Sequence, residues 1–515
     1  MKRNLLGILY IVLFLVLLGI SLTAEIRMTF LFIYFSYFFI LLLVLVWGIS
    51  IVRLIKSLNL SLKEAVRQFG TGMIVAFLLT LVVVFTVKTD YRTLSDETNL
   101  LSVSKSMTFA KNIKNITIGK YYYDNFKTLG STIPKRPFVY PFLTSIVHSI
   151  IGFQGSNCFF VNYCALFFFL AGIFIIFQRY VDGLSALSAL FMVLACPVVT
   201  LYASCGGFDF INAFFFYLVF AALFFYFKAP TKEKFVFVWM TFIVMSNTRY
   251  ESIIYWIIAC VGMVLFGYIK WKTIKKHFCL LSATPFLMLP FIWQRILMQG
   301  KHENPPGVSP FGPEHFLRQF NEFLTAQLDF SFYLPYANLL NLIAFVGIGV
   351  LIWGLITNWK KKIISSSTLQ FACILAVCIL ANLLFTFCYY YGRYTHPISA
   401  RYFILITLML ALIPILVKAV TPKLIGSGTM LVLSLVMFFL YHPIAMEDRF
   451  TNTLTQNREF RQSRKFVNAL NNQQILLITN RPGQFTALDY GAVRFSYANQ
   501  NVNTLKSELD KGLYS

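Results

Sequence analysis

Long uncharged apolar runs constrain this chain more than any other feature. Leu5 to Leu22, Thr29 to Val52 and Thr71 to Val87 each lack a charged residue, and similar runs recur as far as Tyr441. About 20 apolar residues suffice for a helix to span the hydrocarbon core of a bilayer. The chain is 58% hydrophobic and 12% charged, whereas a soluble domain carries roughly 25% charged residues. No soluble fold buries so much apolar surface, so the sequence predicts an all-α polytopic membrane protein. The net charge of +24 does not point to nucleic acid, because much of it sits in short connections between apolar runs. The nine cysteines lie in or beside those runs, without CxxC spacing. They read as small packing residues.

Charge placement sets the expected topology. A basic start, Met1-Lys2-Arg3, puts the N-terminus in the cytoplasm. Arg53, Lys56, Lys63 and Arg67 mark the next cytoplasmic loop, and Thr71–Val87 crosses outward. Phe138–Phe153 is short and broken by Pro141 and His148, so it is expected to lie at the outer surface. Later crossings are then expected near Phe159, Leu184, Phe210, Phe235, Ser252, Phe278, Tyr336, Leu369, Tyr402 and Leu424. This parity places Arg179, Lys228–Lys234, Lys270–Lys276, Lys360–Lys362 and Lys418–Lys423 all on the cytoplasmic side. The total is about thirteen transmembrane helices, with the C-terminus outside. Three regions are expected: two additional N-terminal helices (1–52), a membrane body (53–441) with an outer loop at 88–157, and a small α/β extracytoplasmic domain (442–515). Within the last, Asn457–Asn471 reads as an amphipathic helix and Gln474–Thr479 as a short strand ended by Asn480-Arg481-Pro482-Gly483. A Pro- and Gly-rich stretch, Gln299–Pro335, holds Lys301-His302-Glu303 and is long enough for a lid.

The polar weight lies in the outer loops. The first carries adjacent acids, Asp96-Glu97, and ends on Pro134-Lys135-Arg136-Pro137. Two acids after Ser95 suit a helix start. At a membrane surface, in a loop with nine Lys/Arg and four Asp/Glu over 88–137, they also suit a base that takes a proton from a hydroxyl. Lys135 and Arg136 suit either snorkelling cations or a phosphate clamp. Asp209 opens an apolar run after Cys205-Gly206-Gly207-Phe208, and Arg249 and Glu251 interrupt another. Ionisable residues at membrane depth face cavities or one another. Arg393, His396 and Arg401 cluster at the outer side. No His/Cys/Asp/Glu set has zinc spacing, and no nucleotide-binding or hydrolase motif is present.

These features resemble the GT-C-fold membrane glycosyltransferases, in the branch of protein O-mannosyltransferases and lipid A aminoarabinose transferases. The resemblance rests on Asp96-Glu97 in a first outer loop and on Arg136-Pro137-Phe138-Val139-Tyr140-Pro141-Phe142-Leu143 leading to Ile151-Gly152. Asp209 at a helix start and Ala400-Arg401-Tyr402-Phe403-Ile404 complete it. It covers about residues 70–480, carried by order and spacing. It implies a GT-C-like body and an inverting transfer of a sugar from a polyprenyl-phosphate donor to an acceptor hydroxyl or phosphate, on lipid A, a surface glycan or a protein. Asp96 would be the base, with Glu97 orienting it. Asp209 would contact substrate, and Lys135, Arg136 and Arg401 would hold the donor phosphate. Arg249, Glu251, Arg393 and His396 would line the substrate cavity. Where the family commonly has a Lys-Pro-Pro-like segment, this chain has Arg136-Pro137-Phe138, which leaves open which cation clamps. Some relatives bind a divalent ion, but no ligand set stands out and no cofactor is expected. The partners implied are the lipid-linked sugar, membrane lipid and the acceptor, with no nucleic acid. A bacterial inner membrane is the expected location. The alternatives are a transporter or flippase, which would show internal repeats that are absent here, and a surface-polysaccharide polymerase or ligase.

Overall fold

The computed structural model describes residues 2–59, 61–123, 125–299, 309–361, 364–470 and 475–514. The expected Lys301-His302-Glu303 stretch lies outside the described residues. The protein is a multi-pass, mostly helical membrane protein. Ten described helices are long and apolar enough to cross a bilayer, or eleven if one bent pair counts as a span. That pair, Gly183–Leu194 and Pro197–Ala203, bends by 77°. Pro197 is the cause: Cys196 is held extended at φ −88°, ψ 103°, because a residue before proline avoids the helical region. The helices expected from Phe235 and Ser252 are present as Lys232–Ser246 and Ser252–Leu265. With 15 and 14 residues they are shorter than a full span.

Local sequence sets several helix boundaries. The helix Leu62–Thr86 opens on a capping box, with Ser61 Oγ accepting from Glu64 N and the Glu64 carboxylate accepting from Ser61 N. The helix Asp209–Lys228 opens on its acid and closes on its cation, both favoured by the helix dipole. The stretch Phe138–Phe153 forms one short helix, Val139–Ile151. It packs against Leu94–Phe109 and Asn157–Tyr180, and at 13 residues it is too short to span.

The first outer loop is more structured than its polarity suggests. It forms the helix Leu94–Phe109, then a hairpin of β1 (Asn115–Tyr122) and β2 (Asn125–Thr132). The C-terminal region adds β3 (Leu476–Ile478) and β4 (Gly491–Val493). All four make one sheet in the order β2-β1-β4-β3, with Gly119 paired to Ala492. The expected C-terminal helix is Thr455–Ala469. The C-terminal segment thus joins its sheet to the first outer loop, and side chains reinforce the junction. Lys105 reaches Asp489 at 2.5 Å and Lys120 reaches Glu508 at 2.5 Å. Arg461 meets Asp90 at 2.5 Å.

Candidate active site

The loop, the helix ends and the C-terminal helix enclose a cavity of about 1250 Å³. Asp96 faces it from the first turn of Leu94–Phe109, where its N–H is bonded to the Thr93 carbonyl at 3.0 Å. Arg136 arrives on an extended segment fixed from behind. Phe138 and Val139 donate their N–H groups to the Asn247 carbonyl at 3.2 and 3.1 Å, and Gln294 Nε2 donates to the Arg136 carbonyl at 2.8 Å. The Arg136 fork grips Asp96, with Nη2 at 2.8 and 2.9 Å from the two carboxylate oxygens and Nε at 3.0 Å from Oδ1. Arg401, on the 3-10 turn Ser399–Phe403, adds Nη1 to Asp96 Oδ2 at 2.6 Å. The two guanidiniums hold the Asp96 carboxyl well below the usual carboxylate range, against the opposing effect of burial.

The charges continue as a chain. Arg401 Nη1 lies 3.9 Å from Asp209 Oδ2, Arg249 Nη1 lies 2.8 Å from Asp209 Oδ1, and Arg249 Nε lies 3.2 Å from Glu251. Asp209 has no partner near it in sequence; folding supplies two. Three carboxylates therefore meet three guanidiniums (Arg136, Arg249 and Arg401), and all six residues line the cavity. Such a balance is what a desolvated charge cluster requires.

Other expected residues fall differently. Glu97 does not line the cavity. It turns into the protein and accepts N–H bonds from Arg92, Thr93 and Gly206 at 2.9, 2.6 and 3.0 Å. Burial outweighs those donors and raises its carboxyl to about 7. Arg393 does not line the cavity either. It is 53% exposed at the side chain and bonds Glu322 at 3.2 Å. Glu322 also accepts from the Thr395 N–H at 2.9 Å and so fixes the loop before Arg401. His396 and Lys135 do line the cavity, and Lys135 is exposed. Among the described residues, no group of three His, Cys, Asp or Glu could hold a metal ion.

Three contributions went unread in the sequence. Tyr250 Oη accepts from Arg136 Nη1 at 2.5 Å. Arg295 stacks on Tyr250, 4.8 Å from the ring centre, and lines the cavity without a carboxylate partner among the described residues. A cation inside the apolar run Phe278–Leu297 was the available signal. The third is the stretch Thr453–Asn457, which forms one cavity wall; nothing in its composition marks it.

No family model matches the chain, and no curated protein matches it. Solved structures do. The crystal structure of ArnT from Cupriavidus metallidurans in the apo state superposes with a TM-score of 0.52 at 12% identity, over 82% of this chain and 85% of that one. The same protein bound to undecaprenyl phosphate gives a TM-score of 0.43 at 13% identity over the same shares. The chain thus has the fold of ArnT, the GT-C architecture that its sequence resembles.

Proposed function

We propose that this protein is an integral-membrane glycosyltransferase. It would move a sugar from a polyprenyl-phosphate donor to an acceptor oxygen on the non-cytoplasmic face of the membrane, with inversion at the anomeric carbon. One observation carries the reading: the Asp96 carboxylate faces a large cavity between two arginines, in the same cavity as two cations, Lys135 and Arg295, that have no carboxylate partner among the described residues. A carboxylate gripped by two guanidiniums is a weak base. An incoming phosphate competes for Arg136 and Arg401 and loosens that grip, so donor binding readies Asp96 to take the acceptor proton. Lys135 and Arg295 are the cations we assign to the donor phosphate. As the sugar–oxygen bond breaks, charge grows on that phosphate, and fixed cations stabilise it most at that moment. Asp209, Arg249 and Glu251 hold Arg401 in place from behind. The fold shared with ArnT supports the same reaction class.

The test is transfer from a radiolabelled polyprenyl-phosphate sugar in membranes, comparing wild type with Asp96→Asn at equal protein level. Loss of transfer, by about 10²–10⁴-fold for a general base, is expected. Unchanged transfer would move the base elsewhere, with Asp209 next in line. No transfer from any donor would favour a flipping assay instead.

A further inference from the structure

One cationic cluster lies away from the cavity and has no part in the chemistry above. The helix Glu25–Ser57 has 33 residues, more than a bilayer needs. Counting back from Val52, just ahead of Arg53 and Lys56, the ~20 residues that cross the hydrocarbon core end at Ile33. The turn that follows Leu94–Phe109 docks at that level. Ile113 is buried and donates its N–H to the Ile33 carbonyl at 3.1 Å, and Asn112 Oδ1 accepts the Lys114 N–H at 3.1 Å. The docked turn sets Lys114 Nζ 5.1 Å from the ring centre of Tyr34 and Lys111 Nζ 5.6 Å from that of Tyr37. Neither lysine meets a carboxylate among the described residues; Lys111 Nζ donates to the Thr108 carbonyl at 2.9 Å. Lys111 also holds a left-handed backbone, φ 51°, just past the end of a helix, where glycine or asparagine is the usual residue. Beside the lysines Phe109 is exposed. Its ring centre lies 6.0 Å from that of Phe153, which follows the short helix Val139–Ile151 with its exposed Ile150 and Ile151.

Two cations without acid partners stand at the edge of the hydrocarbon, over tyrosine rings and beside exposed apolar side chains. A lipid at that depth meets all three features: its acyl chain lies against the apolar groups and its head group against the lysines. Charge complementarity sets the class of lipid, because a zwitterionic head group brings its own cation to the lysines. We propose that Lys111 and Lys114, with Tyr34 and Tyr37, form a head-group site for an anionic phospholipid in the leaflet next to the first outer loop. The site anchors the far end of the helix whose first turn carries Asp96. It is independent of the glycosyltransferase reading.

The experiment uses the full chain, purified in detergent. It is titrated separately with phosphatidylglycerol, phosphatidylcholine, inorganic phosphate and undecaprenyl phosphate, and bound ligand is counted by native mass spectrometry. We expect phosphatidylglycerol to bind wild type saturably and more tightly than phosphatidylcholine. Lys111→Gln/Lys114→Gln should weaken it about thirtyfold, the loss that two lysines at an anionic surface imply. Lys111→Arg/Lys114→Arg keeps the charge and should keep most of the binding. Lys506→Gln/Lys511→Gln, which removes two other exposed lysines, should leave it unchanged. Lys111→Gly separates ligand from fold. It relieves the left-handed backbone, so the melting temperature should not fall, yet phosphatidylglycerol should bind more weakly. The proposal fails if phosphatidylcholine or inorganic phosphate binds as tightly as phosphatidylglycerol, or if the Gln double variant at 111 and 114 binds phosphatidylglycerol as wild type does. It fails equally if the variant at 506 and 511 loses as much, or if undecaprenyl phosphate, and not phosphatidylglycerol, is what the 111 and 114 variant loses. Failure of undecaprenyl phosphate to bind wild type would count against the donor reading alone.

Discussion

Arg401 Nη1 lies 2.6 Å from Asp96 Oδ2, although 305 positions separate the two residues in the chain. The contact joins the first turn of the helix that opens the first outer loop to a short turn at the start of a late membrane helix. Asp96 is thereby kept ionised by its surroundings, and under the proposed mechanism its basicity depends on what happens to its two cations.

That dependence has a pH signature. With both arginines present, the Asp96 carboxyl is depressed, so it stays ionised through the mildly acidic range and should leave no limb in the pH profile there. Arg401→Gln removes one cation, and the carboxyl moves up toward its ordinary value of 3.8. Transfer by this variant should then fall as pH is lowered from about 6 to about 4, while wild type stays flat by comparison. Parallel profiles would show that Arg401 does not control Asp96.

Glu97 should affect stability more than chemistry. Its folded value of about 7 stands above the ordinary 4.5. Between those values the folded state holds the proton more tightly than the unfolded one. The stabilising contribution is therefore complete below 4.5 and lost as pH rises through about 7. Melting of the purified protein should drop between pH 5 and pH 8, and Glu97→Gln should flatten that part of the drop. The same variant should retain far more transfer than Asp96→Asn. Equal losses would put Glu97 in the chemistry after all.

A buried ion pair just ahead of the C-terminal helix helps to fix where that helix begins. Arg92 Nε meets Asp448 Oδ2 at 3.1 Å, with both side chains nearly inaccessible. The remaining Arg92 donors go to the carbonyls of Lys88, Asp90 and Ser204. Removing one partner from such a pair costs roughly 3–5 kcal/mol. Asp448 is also left-handed, at φ 46°, a region that Asn tolerates and Ala does not. Asp448→Ala should therefore open the 449–515 segment to limited proteolysis, and Asp448→Asn should do so less. Equal protease resistance of wild type and Asp448→Ala would refute the clamp.

Donor affinity should separate the cations. Lys135→Ala and Arg295→Ala should each raise the donor KM with a smaller effect on kcat, because both side chains are free to meet a phosphate. Arg295→Lys should recover only part, since Lys lacks the planar fork. Arg393→Ala serves as the contrast: an exposed pair with Glu322 is worth at most about 1 kcal/mol, so its kinetics should match wild type. A donor KM that moves with Arg393 but not with Lys135 or Arg295 would reverse the assignment.

The sequence by itself determined the membrane class, the helical body and the placement of most of the site. Apolar runs of bilayer length have one physical solution, and Asp96, Arg136, Asp209, Arg249, Glu251 and Arg401 stand out because charge is costly next to such runs. The Asn457–Asn471 helix was legible too, within two residues, because its apolar positions recur at helical spacing. What only the tertiary structure decided is who faces whom. Asp96 and Glu97 are adjacent, yet consecutive side chains on a helix point in different directions. One entered the cavity and the other was spent on three backbone N–H groups. Tyr250, Arg295 and Thr453–Asn457 reached the site from distant positions, and no local pattern records a contact that closes over hundreds of residues. The C-terminal strands likewise found their partner in β1 of the first outer loop, because hydrogen bonds between strands depend on which backbones meet in space and not on the distance between them along the chain.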